Sequence, residues 1–159
     1  MNHTPRDTPD VPIFPPLIPL SVLIAGVVLN FLLPLRMLAR AQRLRRLVAG
    51  AMALVAGIGM VISANRIFGR VGTPARPSQP TLALATTGMF TRTRNPMYLG
   101  GSLAVVGIAI GFALDWVLLL LVGSLPLVHY YIVLPEESYL ERKFSDEYRR
   151  YKTKVPRYF

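Results

Sequence analysis

The chain contains no cysteine, which removes disulfides, thiolate nucleophiles and cysteine-ligated metal sites together. Histidine is nearly as scarce: His3 and His129 are the only two, too few and too far apart for a metal cluster. His3 reads as a tail residue, and His129, near the end of an apolar run, as a packed or interfacial side chain rather than a catalytic one. Acidic residues number 8 against 18 lysines and arginines, a formal net charge of +10. In a soluble protein that excess would point to nucleic acid. Here the basic residues flank apolar runs, so an anionic lipid surface is the expected partner and nucleic acid is not. No run carries a charge near its middle, which argues against a transporter.

Apolar sequence is abundant. Four runs of 18 to 22 residues stand out: Leu17–Leu38, Leu47–Ala64, Met97–Leu114 and Trp116–Leu134, the last two separated only by Asp115. A helix of such length matches a hydrocarbon core of about 30 Å. The expectation is an all-α polytopic membrane protein, a single membrane domain over residues 1–159 with about four transmembrane helices. The second run is only 18 residues long, as is the third, and holds Gly50, Gly57 and Gly59, which makes it the weakest span. The first follows Pro12, Pro15, Pro16 and Pro19 without a strongly basic leader, so it reads as a retained helix rather than a cleaved signal. Pro34 and Pro126 should kink or interrupt their helices. Gly107 and Gly111 permit close helix approach, for packing or for a substrate crevice.

With the amino terminus cytoplasmic, 13 basic residues (Arg6, five in the second loop and seven in the carboxyl segment) fall inside and five, Arg36 to Arg46, outside. The positive-inside bias therefore places both termini in the cytoplasm. The stretch Gly72–Pro80, with Pro74, Pro77 and Pro80, should be an extended connection.

Two segments carry chemistry. In Gly88-Met-Phe-Thr-Arg-Thr-Arg94-Asn95-Pro96-Met-Tyr98-Leu99-Gly100, arginines meet a helix-start proline at the edge of an apolar run. Free backbone N–H groups at such a start form an anion site that Arg94 would reinforce. In the tail, Leu140, Phe144, Tyr148, Tyr151 and Val155 are spaced 4, 4, 3 and 4 apart, one face of an amphipathic helix opposite a charged face. That helix should lie along the membrane or under the bundle. Glu136 and Glu137 open it, favourably placed for the helix dipole. The two segments bracket the last two runs, so a tight hairpin would return both glutamates to the face where Arg94 lies.

These residues resemble the isoprenylcysteine carboxyl methyltransferase and phospholipid methyltransferase group of integral membrane enzymes. Gly88, Phe90, Arg94, Asn95, Pro96, Tyr98 and Gly100 match one family element; Glu136, Glu137, Leu140, Phe144, Tyr148, Tyr151, Val155 and Pro156 match a second. Gly72-Thr73-Pro74 is similar to the connector that precedes the first in bacterial members. Asn95 stands where many members have histidine, and Ser145 replaces a frequent glycine.

The resemblance implies S-adenosylmethionine as methyl donor, held by residues 72–100 and 135–159 in a cytoplasm-facing pocket of a bacterial inner-membrane protein, with a lipophilic acceptor entering from the bilayer. It assigns Arg94, Asn95, Pro96, Tyr98, Leu99, Gly100, Glu136, Glu137 and Tyr148 to the cofactor. Arg94 and the Pro96 helix start would take its carboxylate, Glu136 or Glu137 its ribose or amino group, and Tyr98 and Tyr148 its adenine or sulfonium. Arg94, Glu137 and Arg157 form the candidate catalytic set, Arg157 facing an acidic acceptor group. The acceptor is left open between an isoprenylcysteine carboxylate and a phospholipid-like molecule. Two rivals stand beside this reading. Membrane sterol reductases share a related carboxyl-terminal region that holds NADPH, but are much longer. In a non-catalytic scaffold, Arg94 and Glu136 would only anchor helix ends at the headgroups.

Overall fold

The computed structural model describes residues 7–9, 11–76 and 78–159; His3, Arg6 and Pro77 lie outside the described residues. Among the described residues every regular element is helical: α1 (Leu17–Leu32), α2 (Arg43–Arg70), α3 (Pro96–Phe112), α4 (Asp115–Val128) and α5 (Leu134–Lys154). A π turn at His129–Val133 joins the last two into one rod of 40 residues. This rod and the 28-residue α2 are the two helices long and apolar enough to cross a membrane. α1 and α3 are apolar but only 16 and 17 residues long, about 24–26 Å of rise against a core of about 30 Å.

The helix bounds depart from the apolar runs for local reasons. α1 stops at Leu32 rather than Leu38, because Pro34 offers no N–H and holds Leu33 out of helical geometry (φ −137°, ψ 66°). Pro126, by contrast, stays inside α4 without ending it. The glycine-rich second run, read as the weakest span, lies in the longest single α-helix, since arginines favourable to helix extend it at both ends. The tail helix does not separate from the last apolar run. Pro135 cannot donate to the carbonyl four residues back, and the π turn at His129–Val133 absorbs that loss while the rod continues.

Glycines set the spacing of α2 and α3. A Cβ at Gly57 would lie 2.5 Å from both the Ala104 nitrogen and the Gly100 oxygen, and one at Gly107 2.5 Å from the Leu54 nitrogen. Backbone meets backbone along this seam, the dense packing that replaces hydrophobic driving force between helices in lipid. On the other side α1 packs on α4, where Gly26 admits Val117. Val22, Val105, Ala109, Val117 and Leu121 form the core that ties α1, α3 and α4 together. The outer surface is apolar, with Phe31, Val55 and Val122 largely exposed.

Within α5, Ser145 has φ 43° and ψ −112°, at the position where the family pattern has glycine. The break turns the last helical turns back toward residues 88–95. A left-handed φ at a residue with a Cβ costs about 1–2 kcal/mol. Ser145→Gly is therefore expected to raise stability by about 1 kcal/mol, read as a higher unfolding midpoint in detergent. A lower midpoint would show that the serine side chain contributes more than its backbone strain costs.

Candidate active site

Pro96 opens α3 at its first turn, as its fixed φ favours, and Asn95 precedes it with non-helical φ −125°. The Asn95 side chain does not cap the helix. Its Nδ2 donates instead to the Arg157 carbonyl (3.1 Å), which also accepts from Thr93 Oγ1 (3.0 Å), while the Arg94 N–H donates to the Pro156 carbonyl (3.0 Å). The carboxyl-terminal strap is thus laced to the loop before α3.

This lacing brings Arg94, Glu137, Tyr148 and Arg157 into one cluster. Arg157 meets the Glu137 carboxylate through two parallel bonds, Nε to Oε1 at 2.9 Å and Nη2 to Oε2 at 2.8 Å. Arg94 Nη1 lies 3.1 Å from the same Oε1 and 3.3 Å from the Tyr148 hydroxyl. The Arg94 side chain is 9% exposed, and its Nε is buried with no hydrogen-bond partner among the described residues. Burial, reinforced by the Glu137 charge, pushes the Tyr148 phenol up to about 12, so it stays protonated.

Glu136, one residue away, lies in a different environment. Tyr98 donates to its Oε1 at 2.6 Å. Burial drives the Glu136 carboxyl up to about 7; the Tyr98 hydrogen bond opposes that rise and the Glu137 charge adds to it. Glu136 and Tyr98 line a cavity of about 560 Å³, together with Asn95, Pro96, Tyr139 and Tyr151. Beyond this polar end the walls are apolar, including Ile18, Val61, Leu121 and Leu125.

The expected site residues therefore divide. Asn95, Pro96, Tyr98 and Glu136 face the cavity, whereas Arg94, Glu137, Tyr148 and Arg157 form the ion cluster beside it. Leu99 lies off the lining, and Gly100 sits in the α2–α3 seam, where a Cβ would stand 2.8 Å from the Gly57 oxygen. His129 is a packing residue, its Nδ1 2.8 Å from the Tyr158 hydroxyl.

Sequence reasoning missed Tyr139, Asn65 and Phe68. Tyr139 is 4% exposed, accepts from the Thr81 N–H and donates to Asp7, closing the connector and the amino-terminal segment over the cavity. It lies one residue before the Leu140 stripe, so periodicity hides it. Phe68 stacks edge-on against Phe90 at 5.1 Å. Asn65, the only amide in α2 and the residue that follows the second apolar run, was the available signal for a polar lining position on that helix.

A model of the phospholipid methyltransferase family matches residues 45–147. An uncharacterized protein of Haemophilus influenzae is 42% identical over 62 residues, covering 39% of this chain and 78% of that protein. No solved structure matches. The matched segment contains Arg94 and the Glu136–Glu137 pair, with Tyr148 and Arg157 of the cluster just beyond it, and the chain belongs to the phospholipid methyltransferase family.

Proposed function

We propose that the chain is an integral membrane methyltransferase that uses S-adenosylmethionine and methylates a lipophilic, phospholipid-like acceptor. The carrying observation is the cavity itself, which joins a carboxyl group at one end to an apolar wall at the other. In this reading α1 and α3 complete four spans, and the site end faces the cytoplasm of a bacterial inner membrane, consistent with the greater share of basic residues there.

The residues present fit the cofactor. Glu136 on the lining offers a carboxylate to a cationic centre, and the unpartnered Arg94 Nε is a buried donor one residue before the lining Asn95. S-adenosylmethionine supplies, when bound, an activated methyl group whose transfer needs alignment and dryness. Glu136 and Tyr98 orient the reacting ends, while the Tyr139 hydroxyl ties Thr81 and Asp7 together along one side of the cavity. Arg157, paired in two bonds with Glu137 and off the lining, is poorly disposed to take an acidic acceptor. The lining carries both an acid, Glu136, and a base, Arg76, so its charge accommodates an amine or a carboxylate acceptor alike.

Calorimetry of the detergent-purified protein with S-adenosylmethionine and with NADPH tests the reading. The sulfonium cofactor is expected to bind, and Glu136→Gln to weaken it by about 10-fold or more, the worth of a charge-assisted contact. Because Glu136 gains its charge as pH rises through about 7, affinity for the cationic ligand is expected to increase over that interval in the wild type and to be flat in Glu136→Gln. NADPH binding alone would move the claim to reduction, and binding of neither to a folded sample would favour the scaffold.

A further inference from the structure

At the end of the bundle remote from the cavity, five arginines fall within eleven residues: Arg36, Arg40, Arg43, Arg45 and Arg46. Asp115 is the acid at this end, and its carboxylate is taken up by backbone. Oδ2 accepts from the Met37 N–H at 3.1 Å and Oδ1 from the Leu38 N–H at 2.8 Å. The other described acids lie at the opposite end, in the amino-terminal segment or α5. Arg46 reaches the Gly111 and Leu38 carbonyls, both at 3.3 Å, and Trp116 Nε1 donates to the Leu33 carbonyl at 2.7 Å.

The loop is therefore fastened to the α3–α4 turn at three points. Its remaining arginines, Arg36, Arg40, Arg43 and Arg45, are exposed and form no ion pair among the described residues. Like charges held this close repel, and no carboxylate of the described chain relieves them. Between them stand exposed apolar side chains, Met37 at 64% and Leu44 at 66%, with Phe112 at 72% on the adjoining turn. Guanidinium groups match phosphate through paired N–H donors, while the apolar side chains require hydrocarbon. A small anion or a nucleic acid satisfies only the first requirement; a phospholipid carrying net negative charge satisfies both.

We propose that this platform binds the headgroups of anionic phospholipids, in the leaflet opposite the Glu136 cavity. The interaction is independent of the methyl-transfer reading, since it uses neither the cavity nor the ion cluster beside it.

Trp116, the only tryptophan, sits on the platform and serves as a native probe. The full chain is reconstituted in phosphatidylcholine vesicles containing an equal mole fraction of headgroup-nitroxide phosphatidylglycerol or phosphatidylcholine, and Trp116 quenching is recorded. The anionic label is expected to associate about fivefold more strongly, a preference that falls as salt is raised. The variant R36Q/R40Q/R43Q/R45Q should lose the preference and the corresponding all-lysine variant should keep most of it. Should the glutamine variant fail to fold, the wild-type and lysine measurements with their salt dependence decide. Equal quenching by both labels in the wild type overturns the proposal, as does a preference that survives in the glutamine variant. Displacement of the anionic label by inorganic phosphate beyond that by chloride of equal ionic strength would assign the platform to a small anion and also overturn it.

Discussion

Glu137→Ala is expected to destabilise the protein by about 3–5 kcal/mol and to abolish binding of S-adenosylmethionine. Glu137 is the acid that pairs with both Arg94 and Arg157, and Arg94 is buried beneath the strap with a side chain 9% exposed. Removing the carboxylate leaves that buried guanidinium with the Tyr148 hydroxyl as its hydrogen-bond partner among the described residues. Arg157 contributes less to the penalty, because at 33% exposure its head can turn to solvent. The physical cause can be separated from the chemical one. The double variant Arg94→Met with Glu137→Leu removes both charges and is expected to recover most of the stability while leaving cofactor binding lost. Thermal unfolding in detergent beside calorimetry reads both quantities. An unchanged midpoint for Glu137→Ala would sink the view that this cluster holds the strap.

The second large effect is expected at the α2–α3 seam. Gly57→Leu should cost on the order of 3 kcal/mol or more, because the first added carbon already lies 2.5 Å from the Ala104 nitrogen and the Gly100 oxygen. Neither backbone atom can rotate away, so the helices must part. Parting them shifts the start of α3, with Asn95, Pro96 and Tyr98, relative to Glu136, and ligand binding should fall with stability. Gly59→Leu, two residues away on the same helix with nothing near its Cβ, is the matched control and should be close to neutral. Equal midpoints for the two variants would show that the helices are not packed backbone to backbone.

Much of the architecture was legible in the chain because its causes are local. Apolar runs separated by arginines give helices, and Pro96 after Asn95 gives the start of α3. The return of the two glutamates to the face where Arg94 lies could be anticipated from the hairpin of the last two apolar runs. Other features were hidden because they depend on rotation about a helix. Glu136 and Glu137 are neighbours in sequence, yet about 100° apart around the axis, so one faces the cavity and the other the arginines. Which does which is set by the phase of the rod, and the π turn at His129–Val133 changes that phase. Gly100, which belongs to a family element, turns out to lie in the helix seam, a contact that only the approach of α2 could reveal.

The sequence by itself determined the helical, strongly apolar character of the chain, since composition, periodicity and proline placement act over a few residues, and its two motifs carried the resemblance to the family. Tertiary structure alone decided that Glu136 is the acid of the cavity, that Glu137 binds two arginines, that Asp115 fastens the first loop and that Tyr139 closes the lining. These roles depend on side chains far apart in the chain meeting in a low-dielectric interior, where which partner is in reach determines both charge state and function.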